Sequence, residues 1–147
     1  MNRVQMYARV LAEFEKLGLP PNLLGIQTVS DQFKHWVDVP PEQQPAIFTV
    51  PETEQCQQQH GVPNKWTVQI NVWVYVRKQG DVAGTRQLWP ILDAIEELAR
   101  PKGPAQSYEN TLGGSVVRFS ISGTTEISGG YLGDQVVAVV PLIVVVA

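Results

Sequence analysis

His35 to Arg77 reads HWVDVPPEQQPAIFTVPETEQCQQQHGVPNKWTVQINVWVYVR, and its closing segment decides the fold class. From Trp66 to Val76 every even position is apolar: Trp66, Val68, Ile70, Val72, Val74 and Val76. The odd positions begin polar, with Lys65, Thr67, Gln69 and Asn71. Successive side chains of a strand point to opposite faces, so this alternation predicts a long strand with one face in a core. Trp73 and Tyr75 then place two aromatics on the face that began polar. Apolar bulk at that end predicts a cover, either from the chain's own elements or from another subunit.

Working outward, Val4, Tyr7, Leu11, Phe14 and Leu17 recur at helical spacing with Val10 beside them. They predict a first helix over residues 2–17, stopped by Gly18 and by Pro20 and Pro21. Leu24 to Trp36 reads as a first strand, VDVPPEQQP as a proline-fixed turn, and Ala46 to Val50 as a short second strand. Pro51 to Asn64 has almost no apolar content and reads as a long polar loop before the third strand, Lys65 to Arg77. Such loops are uncommon inside compact domains and are often functional.

After a turn at 79–84, Leu88, Ile91, Leu92, Ile95, Leu98 and Ala99 form one apolar stripe of a second helix. Pro90 belongs in its first turn, where a missing N–H costs little. Pro101, Gly103 and Pro104 end it. Val117, Phe119 and Ile121 alternate with polar residues in a fourth strand, which Gly123 bends and Thr125 and Ile127 continue. SGGYLGD reads as a turn. Val136 to Val146 is a fifth strand, apolar on both faces, in which Pro141 demands a bulge or an open edge. The expected fold is α+β in one domain, residues 1–147. A mainly antiparallel five-stranded sheet carries two helices on one face, in the order α-β-β-β-α-β-β.

Charged residues make up 17% of the chain, below the roughly 25% of typical globular domains. That suits a sheet-rich domain or one partly covered by assembly. The net charge of −3 and the lack of a Lys/Arg run argue against ordinary nucleic-acid affinity. One cysteine precludes an internal disulfide and fits a reducing compartment. The N-terminal stretch is amphipathic rather than signal-like. The apolar tail VVAVVPLIVVVA has 12 residues, short of the roughly 20 that a spanning helix needs. No membrane partner is expected.

The chemistry-bearing residues do not assemble into a known pattern. Cys56 and His60 are four apart, but a zinc site needs more ligands and His35 is the remaining histidine. The same pair makes a poor nucleophile and base. Asp93, Glu96 and Glu97 lie on the polar side of the second helix, the usual place for solvated carboxylates. Gly113–Gly114 and Gly129–Gly130 with Gly133 lack both phosphate-loop patterns and suit tight turns. Ser115 fails the nucleophile-elbow pattern because Val117 stands where a glycine belongs. No catalytic residue, cofactor or metal is expected.

Five segments in order carry a family resemblance. They are PAIFTVPETE (45–54), the Lys-Trp-Thr strand ending Trp-Val-Tyr (65–75), LWPILDAIEEL (88–98), NTLGGSVV (110–117) and YLGDQVVAVVPLIV (131–144). Together they resemble the tail terminator proteins of long-tailed bacteriophages, also called minor tail protein U or tail completion proteins. The likeness spans nearly the whole chain and is one of structural modules. It implies a virion protein, assembled in the host cytoplasm, whose copies form a hexameric ring capping the tail tube. Such a ring stops tube elongation, meets the head-completion or connector protein, and lets double-stranded DNA pass without specific binding. A closed ring needs two different patches on each copy. The candidates are Glu52, Glu54, Gln57, Gln58 and Gln59 in the polar loop, Trp73 and Tyr75 on the strand, and Tyr131 and Leu132 in the turn at 128–135. Another head–tail joining protein, or a small α+β enzyme or ligand-binding domain, remains the alternative.

Overall fold

The alternating stretch forms strand β3, Lys65–Arg77, at the centre of the sheet. A computed structural model of the chain describes residues 1–19, 24–78, 83–101 and 110–147, with the backbone alone at 130–132. The expectations at Pro20–Pro21, at 79–82 and at Gly103–Pro104 lie outside these residues.

The described elements are α1 (Arg3–Glu15), β1 (Thr28–Ser30), β2 (Ala46–Gln57), β3, α2 (Gly84–Ala99), β4 (Arg118–Ile121), β5 (Glu126–Leu132) and β6 (Gln135–Val146). The domain is α+β, with a mixed rather than wholly antiparallel sheet in the order β1-β2-β3-β6-β4. β1 runs parallel to β2, and the remaining pairs are antiparallel.

The even face of β3 behaves as its alternation requires. Val68, Ile70, Val72, Val74 and Val76 join Val136, Ala138, Val140, Leu142 and Val144 of β6 in one core. Met6, Val10 and Phe14 of α1 and Leu88, Ile91 and Ile95 of α2 close it, so both helices cover the same face. The α1 stripe is rotated from the expected one. Met6 is buried, whereas Val4 in the first turn is 81% exposed.

The opposite face holds a second, smaller core of Val39, Ala46, Phe48, Tyr75 and Val137, edged by Trp36, Val50 and Trp73. The cover that Trp73 and Tyr75 call for is the chain's own connection from β1 to β2. Two buried glutamines hold it there. Gln44 donates through Nε2 to the carbonyl of Val39 (3.0 Å) and to Oε1 of Gln135 (3.1 Å), and Gln135 donates to the carbonyl of Trp36 (3.4 Å).

Several boundaries differ from expectation. The first strand shrinks from 24–36 to 28–30: the chain after it turns into this cover, including a 3-10 turn at Trp36–Asp38, and before it Leu24 and Ile26 pack against the helix-side core outside any strand. α2 begins at Gly84, so Pro90 lies inside the helix rather than in its first turn. The carbonyl of Arg86 consequently receives no donor from position 90. The turn expected at 128–135 is largely strand. β5 runs to Leu132, and the reversal is confined to Gly133, at φ +69°, and Asp134. Gly129 is extended, and a side chain there would meet Cγ2 of Thr85 at 3.0 Å. The pair Gly113–Gly114 does form a tight turn, both at positive φ.

The fourth strand is two strands laid end to end along β6. Ile121 pairs with Leu142 and Glu126 with Val139, so the break falls opposite Pro141. Ser122 donates to the Pro141 carbonyl at 3.1 Å. The missing N–H of Pro141 faces the same side, where Gly123 at φ +113° carries the backbone away. On its other side Pro141 pairs with Asn71 without interrupting β3.

Candidate functional site

β2 runs well beyond its expected end. It continues past Val50 to Gln57, so Pro51–Gln57 is strand and the polar loop shrinks to 58–64. The sequence disguised this because the outer half of β2 buries nothing: residues 51 to 57 are all exposed. They stay extended because β3 supplies a full ladder, from Pro51 opposite Ile70 to Gln57 opposite Lys65.

A bulge between Pro51 and Thr53 rephases this half. Without the extra residue, Thr53 would face the helices. With it, Glu54 sits opposite Val68 on the helix side. There Glu54 accepts from Tyr7 Oη through Oε1 (2.8 Å) and from Arg3 Nε through Oε2 (2.8 Å), and Arg3 Nη2 lies 2.8 Å from the same Oε2. The Arg3 guanidinium also lies 5.0 Å from the centre of the Trp66 ring. These hydrogen bonds, Tyr7 first and Arg3 second, hold the Glu54 carboxyl below its ordinary value. Burial, and then the bond to Glu54, push Tyr7 up to about 12. The hairpin is thus tied at its base to the first two turns of α1.

The other proposed contact residues are dispersed. Glu52, at the bulge, accepts from Asn71 Nδ2 at 3.0 Å. Gln57, Gln58 and Gln59 are exposed at the end of the hairpin. Tyr75 is fully buried, so it cannot serve a neighbour: its hydroxyl donates to the Lys34 carbonyl at 2.7 Å, and burial raises its pKa to about 12. Trp73 is half-buried, with Phe33 edge-on at 5.2 Å. The Leu132 backbone pairs with Gln135, and the side chains of Tyr131 and Leu132 lie outside the described residues. Among the candidates whose side chains are described, the five of the hairpin are the exposed ones. Sequence reading missed Arg3 and Tyr7, since no local signal links the start of a helix to a residue some fifty positions later.

The Cys56, His60 and His35 set does not converge. Cys56 is exposed on β2, His60 is at the hairpin tip, and His35 Nδ1 accepts from the Val37 N–H at 3.4 Å. Among the described residues no group of three or more His, Cys, Asp or Glu could hold a metal. A cleft of about 590 Å³ between residues 41–45 and α2 is lined by prolines, aliphatics, three glutamines and Glu42. A smaller cavity of about 210 Å³ lies beside the hairpin base. No helix among the described residues is long and apolar enough to cross a membrane. Compared with known proteins, the chain matches no family model and no curated sequence.

Proposed function

We propose that this chain is a tail terminator of a long-tailed bacteriophage, acting by binding with no bond broken. Six copies close a ring on the last ring of the tail tube. The ring stops elongation and offers its other face to the head-completion or connector protein. Double-stranded DNA passes through the centre without specific contacts. The order of the five resembling segments supports this reading. The observation that carries it is the outer half of β2 and the hairpin tip, residues 51–64, all exposed and absent from the domain's core. Polar, glutamine-rich surfaces suit wet contacts between proteins that meet late in assembly.

The test is electron microscopy of tails assembled with and without this protein. Overlong tubes in its absence, cured by adding the purified protein, are the expected result. Tubes of normal length that fail to join heads would reassign it as a head–tail joining protein. Normal, head-joined tails would overturn the reading altogether.

A further inference from the structure

The small cavity by the hairpin base has an open mouth because β1 is short. β1 covers β2 only at Ala46, Ile47 and Phe48. Beyond Ser30 the chain turns away, and Tyr7, Val10, Asp31, Thr49, Pro51 and Ile70 enclose a space of about 210 Å³. At ~30 Å³ per water this is room for about seven. The tie from Glu54 to the Tyr7 hydroxyl fixes one wall.

At the far end of the same hairpin, the tip QQHGVPN carries one aliphatic side chain in a polar setting. Val62 is 54% exposed, beside Pro63. Strand rises by about 3.3 Å per residue, so the stretch from Pro51 to Gln57 sets the tip about 20 Å from the cavity. A tip cannot fill the cavity at its own base, but it can fill that of another molecule. Charge agrees with such a match. Asp31 stands at the cavity and Lys65 closes the tip, and neither forms an ion pair among the described residues.

We propose that Val62 and Pro63 of one copy seat in the Tyr7–Ile70 cavity of a second copy, with Lys65 against Asp31. The contact uses two different patches of the same chain, so it is head-to-tail and propagates from copy to copy until geometry closes it. It deepens the ring reading by naming one subunit contact, and rests on that reading only for the number of copies.

Sedimentation velocity over a range of protein concentrations tests it. The wild-type chain should self-associate. Val62→Asp, which charges the tip, and Pro51→Trp, which fills the cavity, should each weaken association at least about tenfold. Mixed together, those two variants should pair one-to-one, since one brings an intact cavity and the other an intact tip. Asp31→Lys should weaken association, and Lys65→Glu in the same chain should restore it, a rescue that misfolding would not show. A wild-type chain monomeric at every concentration, a Val62→Asp variant that associates normally, or a mixture that stays unpaired would each overturn the contact. The tail assay is read separately. Association through Val62 without tube termination removes the function and keeps the contact, whereas termination untouched by Val62→Asp removes the contact and keeps the function.

Discussion

Neighbouring residues on β3 have opposite fates, and the contrast is measurable. Val72 is fully buried between the sheet and the helices, whereas Asn71 faces out and serves Glu52. Val72→Asp would place a carboxylate where nothing solvates it. It should cost about 4 kcal/mol or more and abolish folded expression. Asn71→Ser should cost about 1 kcal/mol, the worth of one exposed-side hydrogen bond, by denaturant melting. Equal damage from both would contradict the face assignment. The tyrosines offer a second test. Tyr7 and Tyr75 both have pKa values raised from 10.0 to about 12. A raised folded value means the stabilisation is intact below the ordinary tyrosine value and is lost as pH rises towards the folded one. Stability should therefore fall between about pH 10 and 12, and phenolate absorbance should show two tyrosines ionising late. Tyr75→Phe should remove one of them. Glu54 has the opposite sign: its value is lowered, so its tie to α1 persists above the ordinary carboxyl range and loosens in acid as the carboxylate is protonated.

The hairpin separates into two parts with different roles at the level of elements. The tip, 58–64, pairs with nothing in β3, whereas Pro51–Gln57 shields one edge of β3 along its outer half. Replacing 58–64 by Asn-Gly should leave the melting temperature within a few degrees of wild type while abolishing function in tail assembly. Deleting 51–64 should also destabilise the domain. It strips the ladder from Val68 and Ile70 and releases Arg3 and Tyr7 from Glu54. Thermal melts of the two deletions check the distinction. Equal melts would mean the outer half of β2 contributes nothing to the domain. Periodicity located β3, β6 and α2 because each buries a regular stripe. It missed the outer half of β2 because a ladder of backbone hydrogen bonds holds an exposed strand without leaving an apolar signature. It overextended β1 because apolar residues in an irregular cover resemble those of a strand.

At the scale of the whole molecule, the proposed ring of six copies at −3 each should present a neutral or acidic lumen to DNA. Of the cations Arg3, Arg9, Lys34, Arg77 and Arg118, Arg3, Arg9 and Arg77 pair with Glu54, Glu13 and Asp134. None of the five should gather along the channel. A ring structure showing several of them facing it, or retardation of duplex DNA at physiological salt, would refute that arrangement. The α+β class, the long central strand, the doubly apolar last strand and the interruption near Pro141 were all written in local pattern, because burial on one face imposes a period and proline removes a donor wherever it falls. The surface that the hairpin offers was half legible: its polar composition marked it as outside the core, and nothing local showed that it was strand. That Tyr75 is covered by the chain's own connection, that Glu54 reaches α1, and that a cavity opens where β1 stops were decided only by tertiary structure. Each depends on segments far apart in sequence meeting in space, where a one-residue bulge determines which side chain faces which neighbour.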